Sequence, residues 1–536
     1  MFVDANRTIR LMIIVTLLTL TMILPNAWAL DRIEASDTPL QPKAKTVAVL
    51  EFHVDNFIEY PKLEITKPIL NELLTRYLQQ FPKTPNKASH QLSVDEIHGA
   101  ADVISQYLRK AGLVFHRAYI PPQEILHNSV RIEILASRLS AISVLDNQHY
   151  HTKKISEPFV ELVQKPILLA DIERALARSN SLPGLEVFGY FSAGAKPGDT
   201  RINLKVLQEK RWLGKVRLDN EGAESTGDIR LTADLRWISP TGIADILHVG
   251  VVQTAQPTNA TYGFVQYRVP FYRDKNTMYV GYSNNQFELG EDFADLLLQG
   301  ESDHYRIGFD QALWQGRRFS WNARLEYSEL ESQLDSGFDE SLDSTIELGR
   351  AALLSSLSWV GLRVQFSALF AGIQLSKDGD DGLHELGSRL AWRPFEKHAH
   401  SFALNVKAQF SDKALPGPER FSLAGAGAVR ALEVGRLSVD DGVVVQLQMD
   451  FWHSGRSRGF VFADFAVGEK INSLESVKFH VAGAGIGFSG GITKRLSWSF
   501  YGGNLVVAEQ DYLEQTTPLD IEGDNRFVGA IQYDLR

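Results

Sequence analysis

Apolar and polar side chains alternate, segment after segment, from about residue 209 to the C-terminus. In the last segment one side would carry Phe527, Gly529, Ile531, Tyr533 and Leu535, and the other Ala530, Gln532, Asp534 and Arg536. A period of two places alternate residues on opposite faces of a β-strand. One apolar and one charged face, repeated over many strands, is typical of a closed barrel in lipid. A large soluble array of β-sandwiches is the alternative that alternation alone leaves open.

The spacing of these segments predicts how many strands there are. Clear candidates are Ile229–Trp237, Ala260–Val269, Thr277–Ser283, His304–Leu313, Phe319–Tyr327, Leu354–Trp359, Arg363–Phe370, Ser401–Phe410, Val443–Phe451, Phe460–Phe465, Lys478–Phe488 and Leu496–Gly502, followed by the last strand. At roughly 20 residues for a strand and its connection, the region yields about 16 strands, an even number. We therefore predict a 16-stranded transmembrane antiparallel β-barrel over residues 209–536, wide enough for water and an extended polypeptide.

The N-terminus has the features of a secretory signal peptide. Arg7 and Arg10 precede an apolar run from Leu11 to Leu24, and Ala27-Trp28-Ala29 forms a small-x-small cleavage site. The apolar run is too short to span a bilayer comfortably, so removal is favoured over membrane anchoring. We predict a signal peptide over residues 1–29, followed by a linker over residues 30–45, and a mature protein that crosses an inner membrane.

Composition narrows the classes of function. The chain has no cysteine, which excludes disulfides and thiolate metal sites. Its net charge of -10 and pI near 5.8 argue against nucleic acid as a partner, because phosphate binding favours a basic surface. The 14 histidines show no spacing that suggests a metal site. We therefore expect no cofactor and no metal.

Residues 46–208 differ from the rest because helical and strand patterns alternate there. The predicted order is a strand at Val47–Val54, a helix near Ile69–Leu78, a second helix opened by a capping box at Ser93-Val94-Asp95-Glu96, and strands at Leu113–Tyr119 and Ser129–Leu135. A similar order follows, with a strand at Leu139–Leu145, a helical turn at Phe159–Val163, a helix at Leu168–Ser179, and strands at Leu185–Phe191 and Thr200–Leu207. We predict two α+β modules, over residues 46–138 and 139–208. Each would leave an open sheet edge that can capture an extended chain.

Short motifs in these modules resemble those of a known family. Residues 118–125, with Pro121, Pro122 and Gln123, followed by residues 130–134, resemble the signature of a POTRA module. The version is that of two-partner secretion transporters (TpsB), the ShlB/FhaC/HecB family of haemolysin secretion/activation proteins. Residues 182–184, 197–200 and 218–227 agree with it, and Ser239–Asp245 resembles the family's first outer loop or turn. The resemblance implies two POTRA modules before a 16-stranded barrel.

The resemblance also implies a loop folded back into the barrel, here at about residues 421–442. The family's tip motif, Val-Arg-Gly-aromatic, is matched by Val429 and Arg430, whereas Ala431 and Leu432 replace the glycine and the aromatic. The family's wall motif, Phe-x-Asp-x-Gly, is matched by Phe462 and Asp464, with Ala466 replacing the glycine. By resemblance, Arg430 pairs with Asp464. A guanidinium in a narrow lumen does favour a carboxylate fork, although an ordinary lumen-facing arginine is the other interpretation of Arg430. Alanine tolerates positive φ poorly, which bears on the tip's backbone.

One motif points to enzymatic chemistry. Residues 487–491, around Ser489, fit the G-x-S-x-G nucleophile elbow, which requires a strand, a sharp turn and a helix. The flanking segments both alternate as strands, so a glycine-rich barrel strand is the better interpretation. We expect no catalytic residues and no enzyme, and a surface esterase would rest on Ser489 alone.

The family resemblance implies an outer-membrane translocator with its POTRA modules in the periplasm of a Gram-negative bacterium. Its partner would be a large secreted adhesin, haemolysin or filamentous haemagglutinin-like exoprotein with an N-terminal secretion domain. Other expected partners are outer-membrane lipid and the barrel assembly machinery, to which Tyr533 is a candidate signal. We expect a monomer without nucleic acid and without a full plug helix between the cleavage site and the first module.

Three other functions stay open at this point. An outer-membrane protein insertase of the BamA type shares the barrel, the loop motif and the POTRA modules. A passive channel or siderophore-type receptor is disfavoured by the POTRA half and by the absence of a large plug domain before the barrel. The surface esterase is the third. Two modules rather than a longer series, together with the Pro-Pro-Gln block, favour export.

Overall fold

The computed structural model of the protein describes residues 46–535, except residues 56, 85–87, 256–259, 272–274, 291–296, 317, 337–338, 360–361, 376–378, 393–400, 412–413, 472–475, 513–514 and 519–524. The predicted signal peptide and linker lie outside the described residues. The chain divides into two compact units, Met1–Ser137 with Pro166–Leu169 and Arg138–Lys165 with Ala170–Arg536. Within the described ranges, none of the helices has the length and apolar character needed to traverse a bilayer.

The first unit is a small α+β fold. Its elements are β1 (Thr46–Val49), β2 (Glu51–Asp55), a 3-10 helix (Pro61–Leu63), α1 (Lys67–Leu78), β3 (His90–Ser93), α2 (Val94–Lys110), β4 (Arg117–Tyr119) and β5 (Ser129–Leu135). β5 lies between β2, which is parallel to it, and antiparallel β4, while β1 pairs with β3. The strand predicted over Val47–Val54 is therefore two strands, divided at Leu50. β3 was not predicted, and β4 is shorter than the predicted strand.

Local sequence explains the longest helix of this unit. The Ser93 hydroxyl accepts from the Glu96 N–H at 3.3 Å, and the Ser93 N–H donates to the Glu96 carboxylate at 2.6 Å. This is the predicted capping box, which satisfies two N–H groups that a helix start leaves unpaired. The apolar face of α2 buries Ile97, Ile104 and Leu108 against the sheet and α1.

A buried histidine makes this unit sensitive to pH. His116 is 4% exposed, and its Nε2 lies 3.3 Å from the Tyr60 hydroxyl, while its Nδ1 has no hydrogen-bond partner among the described residues. Burial lowers the pKa of His116 from 6.5 to about 4. As the pH falls below 6.5, His116 becomes protonated in the unfolded chain, whereas in the folded unit it stays neutral until the pH approaches 4. The free energy of unfolding should therefore fall by about 3 kcal/mol between pH 7 and pH 4.

The measurement is urea unfolding of the purified protein, followed by the helical circular dichroism signal between pH 7 and pH 4. His116→Gln, which does not titrate but can still accept from Tyr60, should remove this part of the pH dependence. His98→Gln is the matched control, because His98 is exposed on α2. Equal pH dependence in wild type and His116→Gln would contradict the prediction.

The second unit begins with another small α+β fold. Its elements are β6 (Arg138–Leu145), α3 (Thr152–Ser156), a 3-10 helix (Glu157–Leu162), α4 (Leu169–Ser179), β7 (Leu185–Ala193) and β8 (Asp199–Glu209). β8 lies between parallel β6 and antiparallel β7. Leu139, Phe159, Ile202 and Leu204 are fully buried in it. The sheet edges are β6 and β7, as β2 and β4 are in the first unit.

The rest of the unit is a closed antiparallel barrel. Its strands are β9 (Trp212–Asp219), β10 (Arg230–Ile238), β11 (Ile246–Thr254), β12 (Ala260–Phe271), β13 (Asn276–Glu288), β14 (Gln299–Gln315), β15 (Phe319–Ser336), β16 (Asp339–Trp359), β17 (Leu362–Leu375), β18 (Gly379–Trp392) and β19 (Ser401–Ser411). A two-stranded hairpin, β20 (Phe421–Ser422) and β21 (Ser438–Val439), lies outside the barrel sheet. The barrel continues with β22 (Asp441–Ser454), β23 (Ser457–Lys470), β24 (Val477–Gly491), β25 (Leu496–Tyr512), β26 (Gln515–Pro518) and β27 (Asn525–Leu535).

The barrel closes between its last and first strands. From β9 to β26 each barrel strand pairs with the next, with β19 pairing with β22, and β27 pairs with β9 over Ala530–Leu535 and Gly214–Asp219. We call this β27–β9 pairing the seam. β26 and β27 both pair with β25, at successive stretches of it. The sequence candidates correspond to strands of this barrel, while β9, β11, β18 and β26 were not predicted.

Exposure alternates along the barrel strands as the sequence predicts. On β27, Phe527 and Ile531 are 64% and 53% exposed, whereas Val528 and Ala530 are 1% and 8% exposed. The exposed apolar side is the one that can face lipid, and the other side turns to the interior. The predicted alternation of this strand is confirmed.

The structure corrects the expected position of the turn at Ser239–Asp245. The turn joins β10 to β11 at the barrel end where β9 follows the second module, and the His151 N–H donates to the Gly242 carbonyl at 2.9 Å. Asp245, which is fully buried, accepts from the Tyr267 hydroxyl at 2.7 Å. The expectation of an outer loop was wrong, because β9 is preceded directly by the module and β10 returns to it.

Candidate functional site

A segment of the chain between β19 and β22 folds against the inside of the barrel wall. We call residues 414–440 the inner segment. Its own small apolar core is formed with residues of β22, β23 and β24, and contains Leu423, Ala424, Ala428, Val429, Ala431, Leu432, Leu437, Val439, Val444, Ala466, Phe479 and Val481. Burial of these side chains holds the segment in place, at roughly 25 cal/mol for each Å² of apolar surface removed from water.

The tip of the inner segment, residues 425–432, is a compact turn. The Gly425 N–H donates to the Val429 and Leu432 carbonyls, both at 3.1 Å, and the Ala428 N–H donates back to the Gly425 carbonyl at 3.0 Å. Gly425 has a φ of +96°, and a Cβ there would lie 3.2 Å from the Cβ of Val434. Glycine suits this position because the backbone has a positive φ and because a Cβ would lie too close to Val434. Val429 is fully buried behind it.

At the tip, Arg430 meets Asp464 of β23. The Arg430 Nη2 lies 2.7 Å from Asp464 Oδ1, and Nε lies 2.8 Å from Oδ2. The Arg430 backbone N–H also donates to Oδ2 at 3.0 Å. The Asp464 side chain is fully buried and that of Arg430 is 11% exposed. The two residues that the resemblance pairs thus form a bidentate, desolvated contact with a third bond from the backbone.

The remaining faces of the Arg430 guanidinium are also occupied. Nη1 donates to the Gln448 side-chain carbonyl at 2.9 Å, and Nη2 donates to the Leu447 backbone carbonyl at 3.3 Å. The ring of Phe462 lies 3.9 Å from the guanidinium carbon, a cation–π contact. Phe462 in turn packs edge-on against Tyr501 at 5.7 Å. Lysine could supply neither the fork nor the planar stacking.

The wall accommodates the alanine that replaces the motif glycine. Ala431 is not among the described non-glycine residues with positive φ, so its backbone is unstrained in that respect. Across from it, a Cβ at Gly483 of β24 would lie 2.9 Å from the Ala431 Cβ and 3.1 Å from Val429 Cγ1. The space for the extra methyl group is therefore provided by a glycine on the wall.

Several residues of the site carry no signal in the sequence. Gln446 donates to the Ala428 carbonyl at 2.7 Å, and Lys407 Nζ donates to the Gly427 carbonyl at 3.0 Å. These two side chains bind carbonyl groups of the tip that the turn leaves unpaired, whereas Gln448 accepts from the Arg430 guanidinium. They are ordinary inward-facing polar residues of β19 and β22. Gln446 also accepts from Asn405 on the wall at 2.9 Å, and the folded-back segment adds the contact with the tip.

Asp440 holds the two ends of the inner segment together. We call these ends, near Leu415 and at Asp440, the base. The Asp440 carboxylate accepts from the backbone N–H groups of Leu415 and Ile471, each at 2.7 Å, and lies 3.4 Å from Arg420 Nε. The side chain is fully buried. Asp440 thus ties the start of the segment, its end and the end of β23 together. Nearby, Glu419 accepts from Arg350 of β16 at 2.8 Å, which fastens the base to another part of the wall.

The Pro-Pro-Gln motif lies beside β5 in the first unit. The Gln123 side chain donates to the Arg131 carbonyl at 2.7 Å and accepts from the Arg131 N–H at 2.8 Å. The β4–β5 pairing ends at Tyr119 and Glu133, and Pro121 and Pro122 have no N–H with which to continue it. The glutamine amide thus takes the place of a strand residue at this point.

Ser489 lies within β24 and not at a strand–turn–helix elbow. Its hydroxyl accepts from Arg458 Nε at 2.9 Å, and its register partners are Arg458 and Ser499 on the neighbouring strands. The nucleophile-elbow geometry is therefore not formed at this serine.

Comparison with known proteins gives consistent matches. The family model for the haemolysin secretion/activation protein ShlB/FhaC/HecB matches residues 198–343 and 385–490. The heme/hemopexin transporter protein HuxB of Haemophilus influenzae (strain 86-028NP) is 23% identical over 522 residues, which cover 87% of this chain and 89% of HuxB. The outer membrane transporter CdiB of Dickeya dadantii is 27% identical over 154 residues, which cover 28% of this chain and 27% of CdiB.

Solved structures share the fold. CdiB from Escherichia coli superposes with a TM-score of 0.62 at 16% identity, covering 94% of this chain and 93% of CdiB. BamA from Haemophilus ducreyi lacking POTRA domains 1–3 gives a TM-score of 0.55 at 12% identity, covering 91% of this chain and all of that structure. The barrel with the α+β modules before it therefore has the fold of these two proteins. Together with the family model and HuxB, this fold defines an outer-membrane transporter with POTRA modules in the periplasm.

The chain belongs to the ShlB/FhaC/HecB family, the outer-membrane transporters of two-partner secretion. This family is a transporter family and not an enzyme family. The predicted membership and outer-membrane location are confirmed. The barrel end that carries the turn at Ser239–Asp245 faces the periplasm, and the inner segment enters from the outer end.

Proposed function

We propose that the protein captures an unfolded partner exoprotein with its POTRA modules and exports it through its own barrel. The observation that carries this proposal is the inner segment, which occupies the barrel interior and is fastened at its tip by Arg430 and Asp464. The fastening is polar and can be broken and remade without breaking the barrel sheet. Passage of a polypeptide requires the segment to shift, and folding of the partner outside gives the process its direction.

Capture would occur by strand addition at a module edge. β7 is an edge strand, and its outward residues Phe188 and Tyr190 are 54% and 40% exposed, with their rings stacked 6.3 Å apart. An extended amphipathic segment of the partner could pair with the strand and cover such residues. The relatives are named as a heme/hemopexin transporter and as CdiB outer membrane transporters. For this chain we propose a large secreted exoprotein with an N-terminal secretion domain.

The finer architecture is part of the proposal. We take residues 46–138 and 139–208 as the two POTRA modules and residues 209–536 as the barrel. We count 16 barrel strands, because β26 and β27 pair with successive stretches of β25 and so form two parts of one strand. The signal peptide over residues 1–29, and the roles of Arg430, Asp464 and the Pro121-Pro122-Gln123 motif, belong to the same proposal.

The test is export of a partner by cells that carry the chain without residues 46–208 but with its signal peptide. We expect the partner to remain in the periplasm, because its capture site is gone. The deleted protein must still migrate as a folded, heat-modifiable barrel, which excludes failed assembly as the cause. Undiminished export would overturn the proposal. General loss of other outer-membrane barrels on depletion of the full protein would instead indicate the BamA-type insertase that the shared fold allows.

A further inference from the structure

The seam of the barrel is shorter than its last strand. β27 runs from Asn525 to Leu535, but its register with β9 covers only Ala530–Leu535. Toward the outer end one more backbone bond follows, from the Asn220 N–H to the Gly529 carbonyl at 3.3 Å, and side chains then continue the seam. Asn220 donates to the Phe527 carbonyl at 2.9 Å and accepts from the Gly529 N–H at 2.7 Å.

Arg526 is the next side chain along this end of the seam, and it has two partners. Its Nη2 donates to the Gly222 carbonyl in the β9–β10 turn at 3.1 Å, and its Nη1 donates to the Leu432 carbonyl at the tip of the inner segment. One guanidinium on the last strand therefore holds both the turn beyond the first strand and the tip. The planar, rigid fork of arginine allows two such bonds in fixed directions.

A second contact joins the same two pieces of chain. The Glu224 N–H, in the β9–β10 turn, donates to the carboxylate of Glu433, which follows the tip. Gly222 is buried in that turn, and a Cβ there would lie 2.1 Å from the Gly227 carbonyl oxygen. The turn is thus tightly folded and offers its carbonyl group in a fixed place.

We infer that Arg526 is a positioning residue that couples the tip of the inner segment to the outer end of the seam. With the tip in place, the Leu432 carbonyl orients the Arg526 guanidinium toward Gly222, and Glu433 holds the turn. When the tip leaves, both supports are lost and the Arg526–Gly222 bond weakens. Withdrawal of the segment then weakens the β27–β9 pairing. The same movement therefore empties the barrel interior and makes the wall at the seam more mobile. Only the meaning of this coupling in export rests on the proposed function.

The natural absence of cysteine allows the coupling to be measured directly. Leu218 of β9 is the register partner of Ile531 across the seam and of Leu231 on the other side. Register partners in an antiparallel pair have Cα atoms about 4.5–5.5 Å apart, which a disulfide can span. L218C/I531C therefore reports on the seam, and L218C/L231C is the matched control within the sheet. The quantity measured is the disulfide equilibrium constant of each pair in glutathione buffers, on purified full-length protein in detergent.

The tip is released by Asp464→Ala. With Arg526 present, we expect this change to lower the seam disulfide constant about tenfold, equivalent to about 1.4 kcal/mol, and to leave the control pair unchanged. With Arg526→Gln, the seam constant should already be low, and Asp464→Ala should lower it no further. An arginine with a merely structural role would give additive effects. Additive effects, or no effect of Asp464→Ala on the seam when Arg526 is present, would overturn the inference.

Heat-modifiable migration verifies that each variant is a folded barrel. Arg526→Lys replaces Arg526→Gln should the latter fail to fold, because a single ammonium group cannot hold the two carbonyls in the same geometry. No partner protein takes part in the measurement. A failure of export in cells would therefore count against the proposed function and not against the coupling. Additive effects on the disulfide constants would count against the coupling and not against the proposed function.

Discussion

Asp464→Ala is expected to release the tip of the inner segment. The substitution leaves the Arg430 guanidinium without its carboxylate and the Arg430 backbone N–H without its acceptor, in a site where the arginine side chain is only 11% exposed. Removing one partner of a buried, hydrogen-bonded charge pair costs about 3–5 kcal/mol. This is larger than the contribution of any single hydrogen bond at the tip, so the segment should leave its position for much of the time.

Trypsin measures the release. In the wild type, cleavage after exposed Arg436 should be fast and cleavage after buried Arg430 slow. In Asp464→Ala the cut after Arg430 should accelerate toward that after Arg436, and single-channel conductance in planar bilayers should rise. Unchanged protection of the Arg430 site would show that the apolar core of the segment, and not the ion pair, holds the tip.

A double-mutant cycle separates the pair from the individual residues. We expect Arg430→Ala and Asp464→Ala together to destabilise the barrel less than the sum of the two single changes, because each single change leaves a buried charge unpaired and the double change leaves none. Arg430→Lys keeps the charge but loses the fork and the stacking on Phe462, so its effect should lie between wild type and Arg430→Ala. Additivity would mean that the two side chains do not interact in solution.

Asp440→Asn is expected to detach the base of the segment. An amide can accept from only one of the two N–H groups, those of Leu415 and Ile471, and would direct its own NH₂ at the other. An unsatisfied buried polar group costs about 1–3 kcal/mol, and the paired Arg420 loses its countercharge as well. The effect should be smaller than that of Asp464→Ala, but it should act on both ends of the segment together.

Thermal loss of the heat-modifiable barrel band measures this change. Asp335→Asn is the matched control, because Asp335 lies exposed on β15 and the substitution removes the same charge. We expect the midpoint to fall for Asp440→Asn and to stay within error for Asp335→Asn. Equal midpoints for the two variants would mean that Asp440 contributes nothing to the base.

Local patterns predicted much of the fold, because they act over a few residues. The capping box at Ser93 and the helix that follows it depend on contacts three or four residues apart, and the structure reproduces them. The division of the first strand at Leu50 was missed, since the two halves pair with different partners, β3 and β5, far along the chain. The turn at Ser239–Asp245 was assigned to the wrong end for the same kind of reason, as its place depends on the strand count before it.

The candidate site was reached only in part from sequence. The tip and wall motifs named Arg430 and Asp464, 34 residues apart, through their resemblance to a family and not through any local property. Gly483, Gln446 and Arg526 belong to the same site but carry no motif, since a glycine or a polar residue on the inner face of a barrel strand has many ordinary reasons to be there. Each of them contacts the inner segment, whose path no local pattern describes.

By itself, the sequence determined the alternating strands, the two small α+β modules, and which face of each strand is apolar and which is polar. These features follow from periodicity and side-chain polarity, which are properties of neighbouring residues. Only the tertiary structure decided which carboxylates are desolvated, such as Asp440 and Asp464, and which single arginine joins the tip to the seam. Desolvation and hydrogen-bond geometry depend on groups brought together from distant parts of the chain. Closure of the barrel, which places β27 beside β9, is what creates that proximity.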